Sequence, residues 1–270
     1  MRISVELVPR DEARVLADAV EARAAMPQAN AFNIPDLTRF PLRSWDACAI
    51  TRAIIPASIP HIRAIDIPPG EERPVAETIL AAGLKEVLII RGDLPRDTSR
   101  TVHPNTSIEV IRRFKRSYPG LRVYAAFDPY RHGLRQELAG VTRKIDAGVD
   151  GFFTQPLFDL RLLEIWAEML RGHCVFWGIA PVLSERSRSF WETANNIVFP
   201  PGFTPTLEWN RAFAAAAIET IRELGANVYF MPIKVNLTSY LEGLVATNTS
   251  GAVSTRGGEE AAGKQRSVPG

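Results

Sequence analysis

Cysteine is almost missing from this chain, with Cys48 and Cys174 the two among 270 residues. They lie far apart, and no CxxC pair or Cys/His ligand spacing surrounds either, which argues against structural zinc. Two unclustered cysteines suit a reducing compartment, and both are expected to be buried thiols. Long apolar runs are missing too. No stretch approaches the ~18 apolar residues of a membrane span, and the opening MRISVELVPRDEAR has no apolar signal core. A cytoplasmic, membrane-free protein is expected. Charge of one sign is nowhere concentrated: 32 basic and 30 acidic residues leave a net +2. No basic block therefore favours a nucleic-acid surface. A GxSxG elbow is also absent, so an esterase triad has no support.

What is present is a regular alternation. Short apolar runs rich in Val, Ile, Phe and Leu read as strands over Ile3-Val8, Ala31-Ile34, His61-Ile65, Glu86-Ile90, Arg122-Ala126, Gly151-Gln155, Val175-Ile179 and Val228-Met231. Between them, Asp11-Ala25, Val75-Leu84, Ser107-Tyr118, Leu134-Ala147, Leu160-Leu170, Ser187-Asn195 and Trp209-Leu224 have apolar residues at helical spacing. Strands alternating with helices argue for parallel βαβ units. At this length, closure into a single α/β domain, a (β/α)8 TIM barrel over residues 1–245, is the economical architecture. The rival, a doubly wound open sheet, normally carries a Gly-rich turn after its first strand, where this chain has Val8-Pro9-Arg10. Residues 246–270 are small, polar and Gly-rich, and are expected to form a disordered tail. Within them Gly258, Gly263 and Lys264 imitate a phosphate-binding loop, but Gln265 stands at its Ser/Thr position and no strand precedes it.

In a barrel, chemistry sits where strands end, so polar residues at strand exits are informative. Glu6 lies inside Ile3-Ser4-Val5-Glu6-Leu7-Val8. An ionised carboxylate there costs several kcal/mol unless it is paired or its pKa rises. A functional acid and a core carboxylate paired with Lys or Arg are both open. Arg91-Gly92-Asp93 follows the fourth strand directly, reading either as a ligand-binding exit or as a turn with a salt bridge. Gln155 ends the sixth strand, where an amide can meet a heteroaromatic edge or be satisfied within the core. His61 and Asp66 bracket the third strand without enough further ligands for a metal. His103, His132 and His173 read as loop or surface residues.

The ordered set of these segments resembles the methylenetetrahydrofolate reductase family of flavin-bound barrels over roughly residues 2–245. The resemblance rests on Ile3-Ser4-Val5-Glu6-Leu7-Val8-Pro9, on Pro60-His61-Ile62 with Ile65-Asp66, and on Arg91-Gly92-Asp93-Leu94-Pro95. It continues through Arg143-Lys144-Ile145-Asp146-Ala147-Gly148, Thr154-Gln155-Pro156-Leu157-Phe158-Asp159 and Gly178-Ile179-Ala180-Pro181-Val182. The chain departs from the family's pattern at Phe32-Asn33-Ile34-Pro35, at Phe127-Asp128-Pro129-Tyr130-Arg131-His132 and at Ile233-Lys234-Val235-Asn236.

The resemblance implies a short-form reductase without a regulatory domain, which moves a hydride between reduced FAD and a folate one-carbon unit. It implies that Glu6 and Asp93 are catalytic. Glu6 would be the acid that opens the five-membered ring of methylenetetrahydrofolate, and Asp93 would stabilise positive charge on the folate. Gln155, with Asp93, would bind the substrate. For FAD it points to His61, Arg91, Gly92, Asp93, Thr106, Ser107, Ala125 and Lys144, with Lys144 near the diphosphate. The electron donor stays open among NADH, NADPH and a protein partner, as does the oligomeric state, a homo-oligomer included. Two other readings stand beside the reductase: a flavin barrel that oxidises a proline-like cyclic amine, and a non-catalytic folate- or flavin-binding subunit.

Overall fold

The computed structural model describes residues 1–95 and 100–245. The Gly-rich segment 246–270, with its phosphate-loop-like Gly258, Gly263 and Lys264, lies outside the described residues.

Eight parallel strands close into a barrel in sequence order: β1 (Ile3–Glu6), β2 (Ala31–Ile34), β3 (Ser58–Arg63), β4 (Glu86–Ile90), β5 (Arg122–Phe127), β6 (Gly151–Pro156), β7 (Val175–Ile179) and β8 (Asn227–Phe230). The last strand pairs with the first, with Ser4 opposite Tyr229. Helices α1 (Glu12–Ala25), α2 (Ser44–Thr51), α3 (Arg73–Ala81), α4 (Ser107–Ser117), α5 (Leu134–Asp146) and α6 (Leu160–Met169) each follow one strand. α7 (Glu185–Asn195) and α8 (Leu207–Glu223) both follow β7, and the short α9 (Leu237–Leu241) follows β8. Local chemistry sets several helix starts. Asp11 accepts from the Arg14 amide at the head of α1, and Thr106 forms a reciprocal capping box with Glu109 at the head of α4.

The third strand starts earlier than its apolar run suggests. It covers Ser58–Arg63, and Ala64–Asp66 then turn as a short 3-10 helix, so His61 sits inside the strand and does not open it. α2 and α9 carry no amphipathic stripe long enough to be read from sequence. α2 also begins without a side-chain cap at Arg43. Cys48 is buried as expected, but Cys174 is exposed. It lies just before β7 on the N-terminal rim, and the expectation of two buried thiols is corrected there.

Strand alternation sorts the core into two layers. Val5, Phe32, Ile62, Ile89, Ala125, Phe152, Trp177 and Val228 face the helices, whereas Ala31, Ile59, Leu88, Tyr124, Phe153, Phe176 and Tyr229 fill the barrel. The interior is asymmetric. On the β5–β8 side, Phe153 stacks on Phe176 with centroids 4.1 Å apart, and Tyr124 and Tyr229 each meet Phe153 edge-on at 5.2 Å. On the β1–β3 side the filling is polar: Ser4 Oγ donates to Asn33 Oδ1, and Asn33 Nδ2 lies 3.2 Å from His61 Nε2. At the bottom, the Arg2 guanidinium binds Glu86 through both nitrogens at 2.8 and 3.1 Å, and the Tyr124 hydroxyl donates to the same carboxylate at 2.9 Å. Burial beside that charge pushes the Tyr124 hydroxyl pKa upward.

One irregularity shapes the upper rim. Phe153 pairs with Phe176 but Pro156 pairs with Gly178, so β6 carries one residue more than β7 over this interval. The phase flips across it: Phe152 faces the helices and Phe158 faces inward. The Thr154 hydroxyl accepts from the Gly178 amide at 2.8 Å, standing in for a ladder bond. Gly178 has no room for a side chain, because an added Cβ would lie 2.7 Å from Thr154 O and 2.6 Å from Met231 Cε. Gly178→Ala is therefore expected to lower stability by roughly 1–3 kcal/mol in urea unfolding. An unchanged midpoint would show that the bulge relaxes freely.

Candidate functional site

The C-terminal ends of the strands form an open mouth with a cavity of about 480 Å³. Arg91, Gly92, Asp93, Ser107, Lys144 and Gln155 line it together. Gly92 has φ +88, and a Cβ there would sit 3.1 Å from Arg63 Cβ, so the exit of β4 runs backbone-close against its neighbour. Arg63 holds this turn in place. Its Nη2 donates to the Asp93 carbonyl at 2.6 Å and its Nε to Asp66 at 3.0 Å. Arg43 joins the same cluster, paired with Asp36 at 2.5 Å and 3.8 Å from Asp66. The Asp93 side chain itself is exposed at the mouth.

Lys144 reaches up from α5 and donates to the Ala126 carbonyl at 2.6 Å. Among the described residues it has no carboxylate within ion-pair distance. Burial lowers its pKa, with the Glu137 charge opposing that shift. A partly desolvated ammonium beside a cavity is a place for anionic oxygen. Arg91 and Arg131 add positive charge to the same wall, while Asp36, Asp128 and Glu137 keep it mixed.

Glu6 stands on the other side of the barrel, at the end of β1, four strands from β5. Its Oε2 accepts a short hydrogen bond from the Tyr229 hydroxyl. Burial raises the carboxyl pKa to about 7, against the lowering effect of that hydrogen bond. Among the described residues no Lys or Arg pairs with it, and its hydrogen-bond partner is the Tyr229 hydroxyl in place of a salt bridge. A carboxyl half-populated as the neutral acid at physiological pH is suited to donating a proton.

The remaining expected cofactor residues are not gathered at the cavity. His61 lies in the barrel's polar interior against Asn33, and burial lowers its pKa to about 3, so the ring is neutral. Thr106 is exposed and its hydroxyl is spent on the α4 cap, accepting from Glu109 N at 3.2 Å. The Ala125 methyl packs toward the helices, and its neighbour Ala126 lines the cavity instead. Three residues that sequence reading passed over turn out to matter to the geometry: Tyr229, Asn33 and Arg63. Alternation along β8 could have placed Tyr229 inside, but nothing in one strand names the partner across the seam.

Glu6 and His61 oppose each other in pH dependence. Glu6 has a raised folded pKa, so its contribution is present below about 4.5 and is lost as pH rises through about 7. His61 has a depressed one, so its contribution is present above about 6.5 and is lost as pH falls toward about 3. Between pH 7 and 4.5 the two nearly cancel. Glu6→Gln removes one side, and urea unfolding of that variant should lose roughly 2–3 kcal/mol more than wild type over this interval. Parallel curves for the two proteins would contradict the raised Glu6 pKa.

Comparison with known proteins adds to this geometry. The profile of the methylenetetrahydrofolate reductase family matches residues 44–244. The 5,10-methylenetetrahydrofolate reductase of Escherichia coli is 23% identical over 185 residues, which cover 65% of this chain and 60% of the relative. That of Buchnera aphidicola is 21% identical over 145 residues, or 52% of this chain and 50% of the relative. The chain thus spans about 60% or less of the length of these curated relatives. Among solved structures, a Clostridium thermocellum protein described as binding two copies of 5-methyl-5,6,7,8-tetrahydrofolic acid superposes with a TM-score of 0.61. It is 13% identical, and the match covers 89% of this chain and 92% of that one. An oxaloacetate acetylhydrolase superposes at 0.56 with 12% identity, covering 86% of this chain and 75% of that one. At such identities the structural likeness concerns the fold alone. Among the described residues no helix is long and apolar enough to cross a membrane.

Proposed function

Because this chain belongs to the methylenetetrahydrofolate reductase family, we propose that it interconverts 5,10-methylenetetrahydrofolate and 5-methyltetrahydrofolate through a bound FAD. The observation that carries the reading is Glu6: an inward carboxyl at the end of β1, held by Tyr229 and titrating near neutrality. That is the acid this reaction needs, in the part of a barrel where catalytic groups collect.

The residues present fit a flavin. A cavity of about 480 Å³ lies within the roughly 300–1,000 Å³ typical of ligand sites. Gly92 lines the cavity without a side chain, so main chain there can face a flat ring system. Lys144 and Arg91 would face the diphosphate, and Ser107 would add a hydroxyl at the head of α4. Thr106 and Ala125 could contribute only main-chain groups, and His61 only a neutral ring from below. Bound there, the flavin supplies the hydride and takes it back in the reverse direction.

The protein's own groups do the rest. Glu6, protonated, gives its proton to N10 of the folate as the C–N10 bond breaks, and the five-membered ring opens to an iminium. Asp93 places negative charge beside that cation, with its main chain fixed by Arg63. Gln155, two residues beyond inward-facing Phe153 and lining the mouth, offers its amide to the pterin edge. Orientation and charge placement are the contribution of the barrel. A soluble cytoplasmic enzyme with a folate substrate is the setting proposed.

The test is anaerobic spectroscopy of the purified chain. The protein should show flavin absorption bands, 5-methyltetrahydrofolate should bleach them, and methylenetetrahydrofolate should restore them. A flavin spectrum that neither folate changes would remove the reductase assignment.

A further inference from the structure

Tyr229 is the aromatic residue of the barrel interior whose polar end meets the proposed acid. It lies opposite Ser4 in the β1–β8 register, one inward step below Glu6, so its hydroxyl reaches up the seam to Oε2. The ring is 3% exposed and is held edge-on by Phe153, itself stacked on Phe176. A phenol buried so deeply needs a partner for its hydroxyl, and the carboxyl supplies one.

We propose that Tyr229 is a positioning residue for Glu6: by donating to Oε2 it makes Oε1 the oxygen that carries the acid proton. The inference rests on the reading of Glu6 as the acid of the folate reaction. In a neutral carboxyl the oxygen that accepts from a donor is the carbonyl oxygen, so the proton resides on the other one. The alternative arrangement, with the acid proton pointing at the phenol, would bury it against β8. With Tyr229 donating, the proton on Oε1 passes to N10 of the folate, the C–N10 bonding pair stays with nitrogen, and Glu6 is left as a carboxylate that still accepts from Tyr229. The bond to the ion is stronger than the bond to the neutral acid, so the phenol favours the product of proton transfer.

The surroundings leave Tyr229 as the tuning group. From β2, Asn33 pairs with Glu6 in register and is uncharged, and the ring of His61 beyond it is neutral. Arg2, just before β1, is committed to Glu86 at the barrel bottom. Across the mouth stand Arg63 and Asp93, tied to each other through main chain. Tyr229 itself stays protonated, since burial first and the Glu6 charge second push its pKa upward.

The full-length protein tests this through the Glu6 carboxyl band in infrared difference spectra, wild type minus Glu6→Gln, across neutral pH. Tyr229→Phe keeps the ring against Phe153 and removes only the hydroxyl. Its Glu6 titration should move up by about one pH unit, and the alkaline limb of kcat/KM should move with it while KM for folate stays near wild type. Tyr229 replaced by 3,5-difluorotyrosine, a stronger donor, should move both the other way. An unshifted titration in Tyr229→Phe that melts like wild type overturns the proposal. If Tyr229→Phe does not fold, an unshifted difluorotyrosine protein overturns it equally. A shifted titration in Tyr229→Phe, together with a wild-type protein whose flavin spectrum folate never changes, would sink the reductase reading while leaving the Tyr229–Glu6 unit in place.

Discussion

Glu6→Gln is expected to slow the folate half-reaction by about 10²–10⁴-fold, the range for losing a general acid, while flavin reduction proceeds at its usual rate. Gln keeps the size of the side chain and can still accept from Tyr229 through its carbonyl oxygen. What it lacks is a transferable proton. Reducing the flavin photochemically and then mixing with methylenetetrahydrofolate isolates the step, whatever the natural electron donor is. In wild type the rate should fall as pH rises past about 7, following the loss of the acid form. In the variant that dependence should vanish along with most of the rate. Equal slowing of both half-reactions would make Glu6 a structural residue, and the proton would have to come from elsewhere.

Phe153→Ala should produce the largest loss of stability among single changes inside the barrel. The ring is buried and stacks on Phe176 at 4.1 Å, with edge contacts at 5.2 Å to both Tyr124 and Tyr229. Removing it leaves a void that three aromatic neighbours on rigid strands cannot close, and such truncations cost about 3–5 kcal/mol. For a chain of this size the melting temperature should fall by on the order of 10 °C. The change also removes the surface that holds the Tyr229 ring, so the Glu6 titration should broaden or shift. Phe153→Leu, which refills much of the volume, should recover most of the stability but not the edge contact. If Phe153→Ala melted within a degree or two of wild type, the stacked aromatic half would not be the rigid frame described for it.

Much of this architecture is visible in one dimension, because parallel strands covered on both faces must be short apolar runs and the helices between them must show a stripe. The helices α1, α4, α5 and α6 start and stop within about two residues of their periodic segments, close to the usual uncertainty of helix ends. Elements without their own pattern escape. α2 is eight residues long and has no side-chain cap, and it is held by packing against β2 and β3. The start of β3 is hidden because Ser58 and Pro60 dilute the apolar run that would mark it. At the candidate site, strand position draws attention to Glu6 and Gln155, polar residues at the ends of apolar strands, and to Asp93 just beyond β4. Relations between residues on different strands leave no trace in either partner's neighbourhood. Tyr229 is 223 positions from Glu6, and Arg63 reaches the carbonyl of Asp93 from 30 positions away. Thr106 has its hydroxyl engaged in the capping box that starts α4, a local role that its position before the helix makes legible.

The extra residue in β6 has a consequence for how this chain can vary. A strand locked into an unbroken ladder has its inward positions fixed by counting, and a slip of one residue reverses all of them. Here the count is already broken between Phe153 and Pro156, with Thr154 and Gly178 absorbing the mismatch. Deleting a single residue at 154 or 155 would give a more regular sheet and a blind one, since the amide that looks into the mouth would be withdrawn from it. The chain keeps the irregular count, and with it an amide that lines the mouth.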